Sequence, residues 1–185
     1  PEARSNTPSL LDERTLSWAV AGACIIGFFA SAWLFRTLRH DDAYILFQYA
    51  RNIATGLGFV FNPGERVLGV TSPLQTLIYA VAYLLVGDAL PWAAVVIGSI
   101  GIAVQAWFLF LLLRDALPIT GAVLALLVLV GFAGSHRALA LETNVYAAFV
   151  LAAIWAFSRR QELLWGALIG LACTSRMDAA VLCLM

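Results

Sequence analysis

Residues 90–113 read LPWAAVVIGSIGIAVQAWFLFLLL, a run of 24 residues without a charged side chain. As an α-helix this run is about 36 Å long, which exceeds the hydrocarbon core of a bilayer, about 30 Å thick. Of the 185 residues, 62% are hydrophobic and 12% are charged, whereas about 25% of a soluble domain is charged. The sequence therefore predicts an all-α integral membrane protein with about five to six transmembrane helices. The other uncharged runs are Leu16–Phe35, Ala116–Ser135, Val145–Ser158 and Leu163–Ser175.

The charge balance argues against a nucleic-acid partner. Eleven basic residues, all of them Arg, offset eleven acidic residues, so the formal net charge is zero and no basic face is indicated. The three cysteines, Cys24, Cys173 and Cys183, lie in apolar runs without a close Cys or His neighbour. We expect buried small side chains at these positions, rather than a disulfide framework or a metal cluster.

Both ends of the chain suggest a piece of a longer protein. The chain begins at Pro1 instead of Met, and its last apolar run, which starts at Ala179, stops at Met185 after seven residues. We expect the N-terminal portion of a larger membrane protein. It would have a cytoplasmic tail at residues 1–15 and a transmembrane module at residues 16–185 that is incomplete at its C-terminus. Residues 36–90 form the predicted first outer loop of this module, with two juxtamembrane helices.

The first of these juxtamembrane helices begins at Asp41. Apolar residues recur from there at helical spacing while polar residues take other directions, which is typical of a helix on a membrane surface. Glycines and Asn62-Pro63-Gly64 then break regular structure, until Thr71-Ser72-Pro73 restarts a helix with a hydroxyl at the cap and Pro in the first turn. The apolar positions are Ala43, Leu46, Phe47, Ala50, Ile53, Ala54 and Leu57, and the polar ones are Asp42, Gln48, Arg51, Asn52 and Thr55.

The second juxtamembrane helix, Pro73–Gly87, decides the topology. Its 15 residues make about 22 Å of helix, too short to cross a bilayer comfortably. If it did cross, Arg159 and Arg160 would fall in a short outer loop, although short loops tend to keep Arg on the cytoplasmic face. We therefore predict that this helix lies on the outer side, at the surface or half-buried. The N-terminus of the chain, Arg114 and Arg159-Arg160 are then cytoplasmic.

With this topology, three polar clusters gather on the outer side. Ionisable groups at membrane depth cost about 2.5–3.5 kcal/mol each, so they are expected to pair or to serve a function. A shared site is one interpretation, and a solvated loop at each helix end is the other. The clusters are Arg39-His40-Asp41-Asp42, Ser135-His136-Arg137 with Glu142-Thr143-Asn144, and Thr174-Ser175-Arg176-Met177-Asp178. His136 has no partner at metal-ligand spacing and is interpreted as a surface residue.

Each cluster offers a candidate chemical role. Neighbouring helix positions point about 100° apart, so one of Asp41 and Asp42 can cap the helix while the other acts as general base or holds a cation. Arg176 suits two phosphate oxygens, unless it merely pairs with Asp178. Glu142 is a second acid or a cation ligand, unless it only caps the helix that follows it.

The stretch from Asp41 to Leu77, DDAYILFQYARNIATGLGFVFNPGERVLGVTSPLQTL, resembles the first outer loop of polyprenyl-phosphate-dependent glycosyltransferases of the GT-C superfamily. The resemblance is to the bacterial cell-envelope branch of arabinofuranosyltransferases and mannosyltransferase-like proteins. Leu141-Glu142-Thr143 resembles the outer motif of this family between the third and fourth spans. Thr174–Asp178 resembles its TRPD motif after span five, with Ser inserted before Arg176 and Met177 where Pro is usual.

This resemblance covers nearly the whole chain and implies an inverting glycosyltransferase of the bacterial cytoplasmic membrane. Such an enzyme moves a sugar from a polyprenyl-phosphate donor to an envelope glycan or lipid on the outer face, as a step of cell-wall biogenesis. The implied site residues are Asp41 and Asp42 as the base, Arg176 and Arg137 for the donor phosphate, and Glu142, Asp178 and His40 in support. A divalent cation on Asp42 and Glu142 is the one candidate cofactor.

Two other functions stay open. One is a multi-span transporter or lipid-handling protein in which Asp41, Asp42 and Glu142 couple to cations. A transporter is expected to show internal symmetry and broken spans, and the sequence displays neither. The other is a non-catalytic subunit of a membrane assembly.

Overall fold

The computed structural model describes residues 41–65, 67–114, 138–176 and 179, together with eight helical positions between residues 19 and 34. From residue 41 onward the described residues form five α-helices, and no β-strand occurs among the described residues, which confirms the all-α class. The tail at residues 1–15, most of the predicted span Leu16–Phe35 and the predicted span Ala116–Ser135 lie outside the described residues.

The first helix, α1 (Asp41–Ala54), begins at the acidic pair, as predicted. Both carboxylates lie in its first turn, where negative charge interacts favourably with the free N–H groups of the helix. The predicted inward face is confirmed at Ala43, Leu46, Phe47 and Ala50, which are all buried.

Two positions near the end of α1 differ from the sequence prediction. Leu57, assigned to the apolar face, is 52% exposed because it lies beyond the last helical residue, where the chain turns away. Asn52, assigned to a polar face, is only 3% exposed. It is buried because its side chain hydrogen-bonds to the loop that follows the helix.

The second helix, α2 (Pro73–Val86), packs against α1 with polar residues facing inward. Its buried side chains include Gln75, Thr76 and Tyr79. Its exposed side chains are apolar, namely Leu77, Val81, Leu84, Leu85 and Val86. This is the reverse of an amphipathic helix in a soluble protein, where the polar face points outward.

Ser72 stands at the N-cap of α2, which confirms the predicted position of a hydroxyl residue, but its hydroxyl makes no capping hydrogen bond. Pro73 occupies the first turn and has no N–H to offer. The Ser72 carbonyl instead accepts hydrogen bonds from the Thr76 hydroxyl, at 3.0 Å, and from the Thr76 N–H, at 3.1 Å. The start of α2 is therefore held by its backbone and by Thr76.

A 3₁₀ turn over Gly87–Ala89 joins α2 to α3 (Leu90–Leu113), whose bounds coincide with the uncharged run. Together they form Pro73–Leu113, a stretch of 41 residues. Within the described residues this is the one helical stretch that is long and apolar enough to span a membrane. Two further apolar helices are shorter, α4 (Thr143–Ser158) with 16 residues and α5 (Glu162–Ser175) with 14 residues. The number of membrane crossings stays a prediction.

Glycines bring α3 close to the turn that precedes α4. A Cβ atom at Gly98 would collide with the carbonyl of Leu139, and a Cβ atom at Gly101 would lie 2.9 Å from the carbonyl of Asn144. The α4 helix packs against both α3 and α5. Residues 139–144 are thereby fixed at one end of the α3–α4–α5 bundle, beside α2.

Candidate functional site

Two buried polar side chains of α1 hold the loop between α1 and α2. The Tyr49 hydroxyl donates to the Val67 carbonyl at 2.6 Å and accepts from the Gly69 N–H at 2.9 Å. The Asn52 amide donates to the carbonyls of Val60 and Phe61, each at 2.8 Å. Because buried polar groups need partners, these four bonds fix the path of the loop along α1.

The fixed loop forms one side of a cavity of about 200 Å³. This is many times the roughly 10–15 Å³ that a single water molecule needs. Three segments line the cavity. They are the face of α1 with Asp42, Ile45 and Leu46, the loop end Gly69-Val70-Thr71-Ser72, and Leu141-Glu142 from the turn before α4.

The cavity distinguishes the two carboxylates of α1. Asp42 is part of its lining, whereas Asp41 is exposed and does not belong to the lining. The sequence predicts that neighbouring helix positions cannot aim at one target, and the cavity confirms this separation for the two Asp residues. Both residues lie within the first turn of α1, where a carboxylate can interact with the free N–H groups of the helix, so the capping role of one of them stays a prediction.

Glu142 lines the same cavity from the turn that precedes α4. It stands at the N-cap position of α4, but its side chain makes no capping hydrogen bond, so the simple capping role is wrong. The turn that carries it is fixed from α3, because the Gln105 amide donates to the Asn144 carbonyl at 2.9 Å within the protein interior.

The Glu142 carboxylate forms an ion pair with Arg176 at the end of α5. The Arg176 Nη1 to Glu142 Oε1 distance is 3.2 Å. The Glu142 side chain is 14% exposed and the Arg176 side chain 35% exposed, so water reaches the guanidinium more easily than the carboxylate. The Arg176 guanidinium also lies over the Tyr146 ring, 5.8 Å from its centroid. Arg176 is thus held near the cavity by a carboxylate and an aromatic ring.

Two polar side chains of α2, the helix that begins after the cavity residue Ser72, are buried in the protein. Gln75 is 1% exposed and Tyr79 is 0% exposed. Neither the Gln75 amide nor the Tyr79 hydroxyl has a hydrogen-bond partner of good geometry within the described part of the chain, although the two side chains are neighbours. The Tyr79 ring packs on Phe47, with centroids 5.5 Å apart.

The structure thus brings together one predicted residue from each polar cluster. Asp42 and Glu142 line one cavity, and Arg176 pairs with Glu142. His40, Arg137 and Asp178 lie outside the described residues, as does His136. The alternative pairing of Arg176 with Asp178 therefore stays a prediction, and Glu142 is an ion-pair partner that the sequence did not identify.

The described residues contain no group of three or more His, Cys, Asp or Glu side chains placed to hold a metal ion. Asp42 and Glu142 supply two carboxylates to the cavity, fewer oxygen ligands than a divalent cation usually takes from a protein and its waters together. A cation bridging these two residues remains a prediction.

Sequence reasoning missed the residues that support the cavity. Tyr49 and Asn52 lie one helical turn apart on the same side of α1, a spacing that indicates a shared target. Gln75 and Tyr79 share a face of α2 in the same way. All four residues belong to polar pairs at this spacing, within stretches that are expected to contact lipid. Such pairs are the sequence feature that could have identified them.

Comparison of the chain with protein-family models, with curated proteins and with solved structures finds no match.

Proposed function

We propose that the chain is the N-terminal catalytic portion of an inverting membrane glycosyltransferase that uses a polyprenyl-phosphate sugar. The observation that carries the proposal is the cavity that Asp42 and Glu142 both line, with Arg176 paired to Glu142. A carboxylate and a guanidinium at one cavity are the two groups that transfer from a phosphate donor needs. The family likeness of residues 41–77 supports the same function.

In the proposed reaction Asp42 is the general base. Its carboxylate takes the proton of the acceptor hydroxyl, and the hydroxyl oxygen forms a bond to the anomeric carbon of the donor. The bond from that carbon to the phosphate oxygen breaks on the opposite face, and the electron pair leaves with the phosphate. The configuration at the anomeric carbon is therefore inverted.

Arg176 stabilises the departing phosphate in this proposal. A guanidinium can give two parallel charge-assisted hydrogen bonds to phosphate oxygens. Its pairing with Glu142 keeps it near the cavity when no phosphate is bound. Glu142 is then a positioning residue. When the donor binds, its phosphate takes the place of the Glu142 carboxylate, so the Arg176 guanidinium has an anionic partner both before and after binding.

The proposal places the protein in the bacterial cytoplasmic membrane with several crossings and with the cavity on the outer face. The inverted pattern of α2 supports lipid contact, since its exposed residues Leu77, Val81, Leu84 and Leu85 would be costly in water and stable in acyl chains. The donor would then reach the cavity from the bilayer, and the acceptor from the envelope.

Thiol labelling tests the orientation. After replacement of the native cysteines, Gly64→Cys in the outer loop is expected to react with a membrane-impermeant maleimide added outside intact cells. Gln161→Cys, in the turn between α4 and α5, is expected to react only after permeabilisation, because Arg159-Arg160 keeps that turn cytoplasmic. Outside labelling at residue 161 would contradict the proposed topology.

Transfer by the full-length protein tests the function. Membranes that contain it are incubated with radiolabelled polyprenyl-phosphate arabinose or mannose, and the label is followed into envelope glycans and lipids. We expect transfer that depends on the protein and on the acceptor. A transporter would instead move labelled solute across sealed vesicles without forming a glycosidic product, and that result would replace the proposal.

A further inference from the structure

Gln75 and Tyr79 present hydrogen-bonding capacity that the described part of the protein does not use. The Gln75 amide can donate two hydrogen bonds and accept two, and the Tyr79 hydroxyl can donate and accept. Both side chains are buried, with 1% and 0% exposure, and both amide atoms of Gln75 and the Tyr79 hydroxyl are shielded and unpartnered there. Even a bond between the two side chains would leave most of this capacity unused.

These side chains lie on α2, the helix that begins after the cavity residue Ser72. Gln75 follows the cavity residue Ser72 by one helical turn on α2, and Tyr79 follows Gln75 by one more, so the three share a face of the helix. Leu46 lines the cavity and belongs to the same hydrophobic cluster as Tyr79, with Leu141 packed against it.

The cavity alone is smaller than a pocket that usually encloses a small-molecule ligand. Its volume of about 200 Å³ is below the roughly 300–1,000 Å³ of pockets that enclose small-molecule ligands. Leu46 and Tyr79 belong to one hydrophobic cluster against which Leu141 packs, and Gln75 is buried one helical turn before Tyr79. A pocket extended through this cluster along α2 would therefore reach a hydroxyl and an amide.

We propose that Gln75 and Tyr79 form a second binding subsite, reached from the Asp42 cavity past Leu46 and Leu141, that binds the hydroxyl groups of a sugar ring. The assignment to a sugar rests on the proposed function, whereas the position of the subsite rests on the burial and the unpartnered atoms. Neighbouring hydroxyls of a sugar ring each donate one hydrogen bond and accept two, which matches an amide beside a phenol.

Variants of this subsite are expected to change stability and ligand affinity in opposite directions. If the two polar groups served only the fold, removing one would leave binding unchanged. If they bind a ligand, removing one relieves a buried unpartnered group in the free protein and deletes a hydrogen bond in the complex. Stability and affinity then change in opposite directions, which a purely structural role does not produce.

The test uses the full-length protein in lipid nanodiscs and radiolabelled octyl α-D-mannoside and octyl α-D-arabinofuranoside, without any donor. Binding and thermal unfolding are measured for wild type, Tyr79→Phe and Gln75→Met. The matched control is Tyr83→Phe, which removes a hydroxyl one turn further along α2 from a half-buried side chain. We expect each of the two variants to bind at least one glycoside about 5- to 10-fold more weakly. Their unfolding temperatures should equal or exceed that of wild type, and the control should bind as wild type does.

A second arm uses farnesyl-phosphate mannose and farnesyl-phosphate arabinofuranose to separate the two sources of a sugar ring. A Tyr79-dependent loss for the octyl glycosides assigns the subsite to the acceptor, and a loss for the farnesyl compounds alone assigns it to the donor. Unchanged binding of all four compounds by both variants would overturn the proposal, as would a lower unfolding temperature in Tyr79→Phe. The binding assay is independent of the transfer assay described above. Tyr79-dependent binding by a protein that shows no transfer would therefore contradict the proposed function and leave the subsite intact.

Discussion

The two sides of the Asp42 cavity are held by different interactions. On the side of α1 and the loop, side-chain hydrogen bonds from Tyr49 and Asn52 fix residues 60–69. On the side of Glu142, backbone packs on backbone, because Gly98 and Gly101 of α3 leave no room for a side chain against residues 139–144. One side is thus secured by a few directional bonds and the other by close contact.

This difference indicates how each side responds to change. Losing one hydrogen bond typically costs about 1–3 kcal/mol when a buried partner is left unsatisfied, so the loop can loosen while the protein stays folded. A side chain forced between two backbones has no rotamer that avoids the clash, so the helices must separate. The Glu142 side is therefore expected to be rigid and intolerant, and the loop side adjustable.

The largest effect is expected at Gly98. Gly98→Leu places a side chain where even a Cβ atom would collide with the Leu139 carbonyl, so we expect little folded protein. The measurement is the yield of monodisperse protein after detergent extraction. Gly166→Leu is the matched control, since a Cβ atom there meets nothing within 4 Å. Equal yields of the two variants would show that α3 does not fix the turn before α4 by close packing.

The next effect concerns Arg176 and the donor. Arg176→Ala is expected to lower transfer about 100-fold at low donor concentration, because the phosphate loses a charge-assisted partner. Arg176→Lys keeps the charge but not the planar fork, so we expect a smaller loss, about 10-fold. The dependence of transfer on donor concentration separates both variants from wild type.

Folded yield is the control for the Arg176 variants. The Arg176 side chain is 35% exposed, so its ion pair with Glu142 is expected to contribute at most about 1 kcal/mol to stability. Glu142→Gln should likewise fold. An Arg176→Ala protein with normal donor dependence, or with a yield as low as that of Gly98→Leu, would remove Arg176 from the site.

A smaller effect is expected at Tyr49. Tyr49→Phe keeps the ring between Phe59 and Phe61 but deletes the bonds to Val67 and Gly69, so the loop side of the cavity should loosen. We expect faster hydrogen exchange at residues 67–69 and transfer lowered about 10-fold, with folding retained. Tyr83→Phe serves as the control on the neighbouring helix. Unchanged exchange at Gly69 in Tyr49→Phe would show that this hydroxyl does not hold the loop.

The same contrast explains what sequence reasoning could and could not find. The start of α1 at Asp41 and the bounds of α3 follow from charge and from an uncharged run, which are local properties of the chain. The loop side of the cavity depends on hydrogen bonds that Tyr49 and Asn52 form with backbone groups up to 20 residues away. Helix periodicity alone assigns Asn52 to solvent, because periodicity contains no information about distant hydrogen-bond partners.

Two further misses have other physical causes. Periodicity in α2 does not separate the exposed side from the buried side, since Leu77 and Ala80 are both apolar while only Ala80 is buried. The pairing of Glu142 with Arg176 joins residues 34 positions apart, and it requires the packing of α4 on α5. Asp42, Glu142 and Arg176 could thus be chosen as candidates from the sequence, whereas their contacts could not be predicted.

In the proposed mechanism Asp42, and not Asp41, is the general base. The two residues are adjacent, chemically identical and both exposed, and only Asp42 lines the cavity. The most direct measurement is the rate of sugar transfer by full-length Asp42→Asn and Asp41→Asn in membranes, normalised to folded protein. We expect a loss of about 10²–10⁴-fold for Asp42→Asn and a rate within a few-fold of wild type for Asp41→Asn. Equal rates in the two variants, or a loss confined to Asp41→Asn, would contradict this assignment.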